Sequence, residues 1–163
     1  MTSKAATFAD FVGKFPSVTM PVTLGETSHH AFSTENDPLS EAEIVQFILP
    51  AEGIAEQDEF TEYVPCFSIA GTESLIALVW WKAALLQYDY SLATFTAKGE
   101  LIDRKVIAHT QVENGGVSRA VVHINEEWEM TILEGSSPDG DLLFDGTSSR
   151  TRYLELMANG EII

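Results

Sequence analysis

A chain of 163 residues has the length of one domain, and it can bury roughly 70% of its unfolded surface without covalent staples. Twenty-five acidic against nine basic residues give a formal net charge of −16. That balance disfavours nucleic acid and anionic membrane surfaces, which are gripped through clustered bases. The single Cys66 excludes an internal disulfide, and no apolar run approaches the roughly 18 residues of a membrane span.

The bases are unevenly placed. From Phe15 to Trp81 there is no Lys or Arg, while eleven acids occur; Ala120 to Ser149 is a second base-free window with seven acids. Such a surface would steer a basic partner towards itself; it also serves solubility alone. The opening MTSKAATFADFVGKF is interrupted by Lys4, Asp10 and Lys14, so it does not read as a signal peptide. The expectation is a soluble cytoplasmic protein, although a chain whose export signal had been removed would read the same.

Residues 5–15 predict a short amphipathic helix. Phe8, Phe11, Val12 and Phe15 share one face, and Gly13 and Pro16 mark its end. Residues 16–38 are punctuated by Pro16, Pro21, Gly25 and Pro38 and read as an extended or looping connection, with room for a short strand at Val18–Leu24. A second helix follows. Ser40 and Glu43 have capping-box spacing, Ile44, Phe47 and Ile48 form its apolar face, and Pro50 is expected to stop it. Residues 51–62 are acidic and expected to be solvated.

From Tyr63 the period becomes strand-like. Tyr63–Ile69 is predicted as a strand at an edge or entry bend, given Pro65. Ser74–Trp81 is apolar on both faces and should be central and covered on both sides, with the N-terminal helices on one of them. Lys82–Gln87 reads as a connection or a helical turn.

Tyr88–Thr96 and Leu101–His109 form a hairpin around Ala97-Lys98-Gly99. A bulged three-residue loop pairs Thr96 with Glu100, and hence Tyr90 with Val106, Leu92 with Arg104 and Thr94 with Ile102. A two-residue Lys-Gly loop would instead set Leu92 against Lys105 and Thr94 against Asp103. The bulged form segregates apolar from polar better and is preferred.

Asn114-Gly115-Gly116 marks the next turn, which would set His109 opposite Ala120. Strands at Ser118–Ile124, Trp128–Glu134 and Thr151–Met157 follow, the last two separated by the Gly/Ser/Asp-rich loop 135–150. The sum is a single α+β domain over residues 1–163. An antiparallel meander of six to seven strands, a curved sheet or partial barrel, carries two short N-terminal helices.

Phe15-Pro16, Ser28-His29-His30, Tyr88-Asp89-Tyr90, Leu92-Ala93-Thr94, Gly99-Glu100-Leu101-Ile102-Asp103 and Gly160-Glu161-Ile162-Ile163 together resemble a family of small bacterial proteins of unassigned function. The resemblance spans most of the chain. Its motifs are shared by β-meanders at large, and it implies nothing about substrate or mechanism.

The chemistry-bearing patterns are few. Adjacent histidines on a strand point to opposite sides, so His29-His30 is a poor metal pair without other ligands such as Glu26 or Asp37. Counting Asp139 as position one of an EF-hand puts Leu143 at five and Arg150 at twelve, where oxygen ligands are required, so that reading fails. An irregular cation site on Asp139, Asp141 and Asp145 stays open. Cys66 reads as a buried, inert thiol. No GxSxG, Walker loop, GxGxxG, HExxH or CxxC is present. No catalytic residue, cofactor or metal is therefore assigned.

Three readings of function remain. In the first, the protein is a non-enzymatic inhibitor- or immunity-type module that docks a basic protein through Glu41, Glu52, Glu56, Asp58, Glu59 and Glu62. In the second, it is a small-molecule binder or minor enzyme with an apolar pocket lined from Trp80, Trp81, Tyr88 and Tyr90. In the third, an exposed edge near Tyr63–Ile69 or Thr151–Met157 pairs with a second copy to give a homodimer.

Overall fold

A computed structural model of the chain describes residues 5–113, 115–137 and 149–163. It is an α+β structure. The helices are α1 (Phe8–Gly13), α2 (His29–Glu35), α3 (Glu41–Glu43) and α4 (Leu49–Glu52), and a π-helical turn (Ile44–Ile48) joins α3 to α4. The strands are β1 (Ser17–Val18), β2 (Val22–Leu24), β3 (Glu62–Ile69), β4 (Leu75–Ala84), β5 (Gln87–Thr96), β6 (Leu101–Glu113), β7 (Gly116–Ile124), β8 (Glu129–Ser137) and β9 (Arg150–Glu155).

These nine strands form one mixed sheet in the order β1-β3-β4-β5-β6-β7-β8-β9, with β2 added to β7. Strands β3 to β9 run as the antiparallel meander. The expected meander of six to seven strands does not count β1 and β2; in place of the one short strand expected at Val18–Leu24 there are two, with partners far away in sequence. β1 pairs with β3 in parallel, and β2 pairs with β7. Among the described residues no pairing joins β1 to β9, so the sheet is open.

β4 explains the layering. Its Ala77, Val79 and Trp81 enter a core shared with Leu92, Val122, Ile132 and the C-terminal Ile162. Its Leu78 and Trp80 enter a second core with Phe11, Phe15, Ile48 and Phe95, roofed by α1 and by the segment from α3 to α4. Phe11 stacks on Phe47 at 4.8 Å and meets Phe15 edge-on at 5.1 Å, so the predicted phenylalanine stripe docks on the sheet.

The capping box forms. The Ser40 hydroxyl accepts from the Glu43 N–H at 3.1 Å, and the Glu43 carboxylate accepts from the Ser40 N–H at 2.8 Å and from Lys14 Nζ at 3.0 Å. Pro50, however, does not stop the helix. The widened turn over Ile44–Ile48 leaves Pro50 in the first turn of α4, where its missing N–H is not needed. Gly53, at φ +71°, ends the segment instead. Residues 51–62 are accordingly not all solvated: Ala51 is buried, and the Glu52 side chain is only 4% exposed.

The β5–β6 hairpin has the predicted turn but not the preferred register. Thr96 N–H donates to Glu100 O at 2.8 Å around Gly99 at φ +93°. The pairs beyond the turn are Thr94 with Asp103, Leu92 with Lys105, Ser91 with Val106, and Tyr90 with Ala108. Bulges at Ile102 and Ile107 each add one residue to β6. The first cancels the offset set by the turn, and the second aligns Ala108 with Tyr90.

Two further segments depart from expectation. Lys82–Gln87 is no separate connection, because β4 and β5 pair as far as Ala84 with Gln87 and leave Leu85-Leu86 as a two-residue turn. Residues 29–35, expected to belong to an extended or looping connection, form α2. Asn36 just beyond α2 donates to Pro65 O at 2.7 Å and Cys66 O at 2.9 Å, along the outer edge of β3.

Candidate functional site

Between α2 and the sheet lies a cleft of about 360 Å3. Its floor is built across neighbouring strands. Trp81 on β4 pairs with Tyr90 on β5, and Tyr88 pairs with Thr110 on β6. Its roof is the turn from Gly25 into α2. The roof is pinned by the Tyr90 hydroxyl, which donates to Gly25 O at 3.1 Å, and by the Ser28 hydroxyl, which accepts from Gly25 N–H at 2.9 Å. Burial, aided by the Cys66 side, pushes the Tyr90 phenol far up, so it stays a neutral hydroxyl.

Three flat groups run parallel along one wall. The His29 imidazole stacks on the Trp81 indole at 3.9 Å and 3°, and Tyr88 lies parallel to Trp81 at 5.9 Å and 7°. His30 tilts against His29 at 4.1 Å. Burial and then the adjacent His30 hold His29 below the ordinary imidazole value, against the opposing pull of the Glu26 backbone and carboxylate. The ring is therefore neutral near pH 7. Among the described residues its buried Nδ1 has no hydrogen-bond partner. Of the remaining groups, the Glu26 carboxylate meets Arg119 Nε at 3.0 Å, and His109 Nε2 meets Ser118 Oγ at 3.3 Å.

Three of the four aromatic residues singled out from sequence, Trp81, Tyr88 and Tyr90, line this cleft. Trp80 does not. It points to the helix side, fully buried, where its Nε1 donates to Glu52 at 2.9 Å. Sequence reasoning missed Glu26, His29 and His109 as cleft residues. Ser28 ahead of His29-His30-Ala31-Phe32 was the available helix signal, and the predicted pairing of His109 with Ala120 is formed.

The six acids expected to meet a partner divide. Glu41, Glu56, Asp58, Glu59 and Glu62 are exposed. Glu52 is occupied by Trp80 and by Lys82, the latter at 3.0 Å. The loop holding Asp139, Asp141 and Asp145 lies outside the described residues.

Asp89, His109 and Ser118 sit in cross-strand sequence on β5, β6 and β7. Yet the Asp89 carboxylate is hydrogen-bonded by Gln87 at 3.1 Å and not by His109, so the aligned relay of an activated serine is missing. Burial makes Cys66 inert, raising its thiol well above the ordinary value. Among the described residues no three His, Cys, Asp or Glu side chains are grouped as metal ligands would be. No helix among them is long and apolar enough to cross a membrane. No protein-family model, curated protein or solved structure matches the chain.

Proposed function

We propose that the protein binds a small, planar, uncharged heteroaromatic molecule in the cleft between α2 and the sheet. The observation that carries this reading is the parallel alignment of His29, Trp81 and Tyr88 along one wall of a cavity of ligand size. A site that already orders flat rings face to face offers a further flat ring the same contact, worth about 0.5–1.5 kcal/mol beyond area burial.

The polar groups favour a neutral occupant. Glu26 and Arg119 offset each other, His29 is held uncharged, and the Tyr90 and Thr110 hydroxyls are neutral. A charged ring would exchange water for a site with no unopposed countercharge.

Calorimetric titration tests the reading, with indole and adenine as planar neutral probes. Benzoate and benzamidine are the charged probes, and cyclohexanol is the non-planar one. Indole or adenine should bind saturably, and Tyr88→Ala, a change at a partly exposed position, should weaken that binding about tenfold. Equal binding of cyclohexanol, or no saturable binding of either planar probe, would contradict it.

A further inference from the structure

Beside the cleft, with Tyr88 shared between the two, the β4–β5 turn breaks the usual chemistry of such turns. Two-residue hairpin loops take Asn, Asp or Gly, because one or both residues adopt positive φ. Here the loop is Leu85-Leu86, with Leu86 at φ +57°. Neither side chain gains burial in return: Leu85 is 87% exposed and Leu86 52%. The turn is nonetheless fixed, since Val112 N–H donates to Leu86 O at 2.9 Å.

Facing it is a second misplaced apolar group, Phe60, which is 79% exposed. The backbone at Phe60 is also held in place. Asp58 Oδ1 accepts its N–H at 2.9 Å, and Asp58 Oδ2 accepts from the Thr61 hydroxyl at 3.2 Å. Phe60, Leu85, Leu86 and Tyr88 line a groove of about 600 Å3, with Asp58 and Glu62 on its rim. Apolar side chains left in water on hydrogen-bonded backbone, two of them on a turn whose own preferences they violate, mark a surface kept for a partner.

The charges identify the partner. The exposed Glu56 and Glu59 stand in the same base-free stretch of sequence, and the nearest base in sequence, Lys82, is tied to Glu52. A second copy of the chain would set this acidic rim against its own like charges. An anionic lipid surface would be repelled in the same way.

We infer that this groove docks a basic amphipathic segment of another protein, whose apolar side chains cover Phe60, Leu85 and Leu86 while its Lys or Arg residues meet Asp58 and Glu62. Two of the acids expected from sequence to receive a basic partner, Asp58 and Glu62, thus become the rim of an apolar anchor site. Acids alone would not supply one.

The test uses a labelled amphipathic Leu/Lys helical peptide and its Leu/Glu counterpart, read by fluorescence anisotropy on the intact protein. The Leu/Lys peptide should bind and weaken steeply as salt rises, and the Leu/Glu peptide should not bind. The double variant Leu85→Asn with Leu86→Gly installs the preferred turn, so it should keep or raise the Tm while reducing binding at least tenfold. Glu126→Gln with Glu127→Gln, on a distant turn, should leave binding unchanged. Undiminished binding by the Asn-Gly variant, equal loss in the distant variant, or capture of vesicles or a second copy in place of the peptide would overturn the inference.

Discussion

At the scale of single residues, the cleft depends on His29 remaining neutral against Trp81. An imidazole whose value is lowered by folding takes up its proton more readily in the unfolded chain. Its contribution to stability is therefore present above the ordinary value near 6.5 and is lost as pH falls below it. Two carboxylates titrate lower. Burial pushes Glu43 up, but Ser40 and Lys14 outweigh it; burial likewise opposes Arg150 and Arg152 at Glu134, and again the partners prevail. Both are held below the ordinary carboxylate value, so their contribution is lost only as pH falls from about 4.5 downward. The two windows can be told apart. Thermal melts should show the midpoint falling between pH 7 and about 5.5, and His29→Phe, which keeps a ring on Trp81 but cannot titrate, should flatten that slope. An unchanged slope in the variant would remove His29 as its cause.

At the scale of elements, what sequence revealed was what local chemistry writes. The phenylalanine stripe of α1, the Ser40–Glu43 cap, the two-faced β4 and the Gly99 turn all have causes within a few residues of themselves. What it hid has causes elsewhere. α2 carries one strongly apolar residue, Phe32, so its period is nearly silent; its place is set by Tyr90 and by Asn36 on the edge of β3. The bulges at Ile102 and Ile107 follow from packing. Ile107 is fully buried, and Ile102 lies against the C-terminal turn. That turn illustrates the dependence. Gly160 has φ +95°, and a Cβ there would stand 2.8 Å from Ile102 Cδ1. Its carbonyl accepts from the Thr94 hydroxyl at 2.6 Å, and the next residue but one, Ile162, donates its N–H to Asp103 at 2.8 Å. Gly160→Ala should therefore cost about 1–3 kcal/mol, read from denaturant midpoints, while Gly115→Ala, at a positive φ with open space around it, should cost less. Equal losses would mean that backbone conformation alone, and not the contact with Ile102, sets the requirement.

For the molecule as a whole, the central fact is a sheet with a packed core on each side of β4 and a cleft where α2 leaves the inner side partly open. The acid excess is managed by folding. Lys14, Lys82, Arg119, Arg150 and Arg152, all outside the base-free windows, pair with Glu43, Glu52, Glu26 and Glu134 within them. Among the described residues most of the remaining acids are exposed, Asp89 being buried, and Asp58 and Glu62 lie beside Phe60 and the Leu85-Leu86 turn. The three tryptophans occupy different environments: Trp80 on the helix side bonded to Glu52, Trp81 in the cleft wall, and Trp128 packed against the inner core away from the cleft. Their indole N–H resonances thus report the site directly. In a nitrogen-15 correlation spectrum titrated with indole, the Trp81 signal should move saturably while those of Trp80 and Trp128 stay fixed; movement of Trp80 in place of Trp81, or no movement at all, would contradict binding in the cleft.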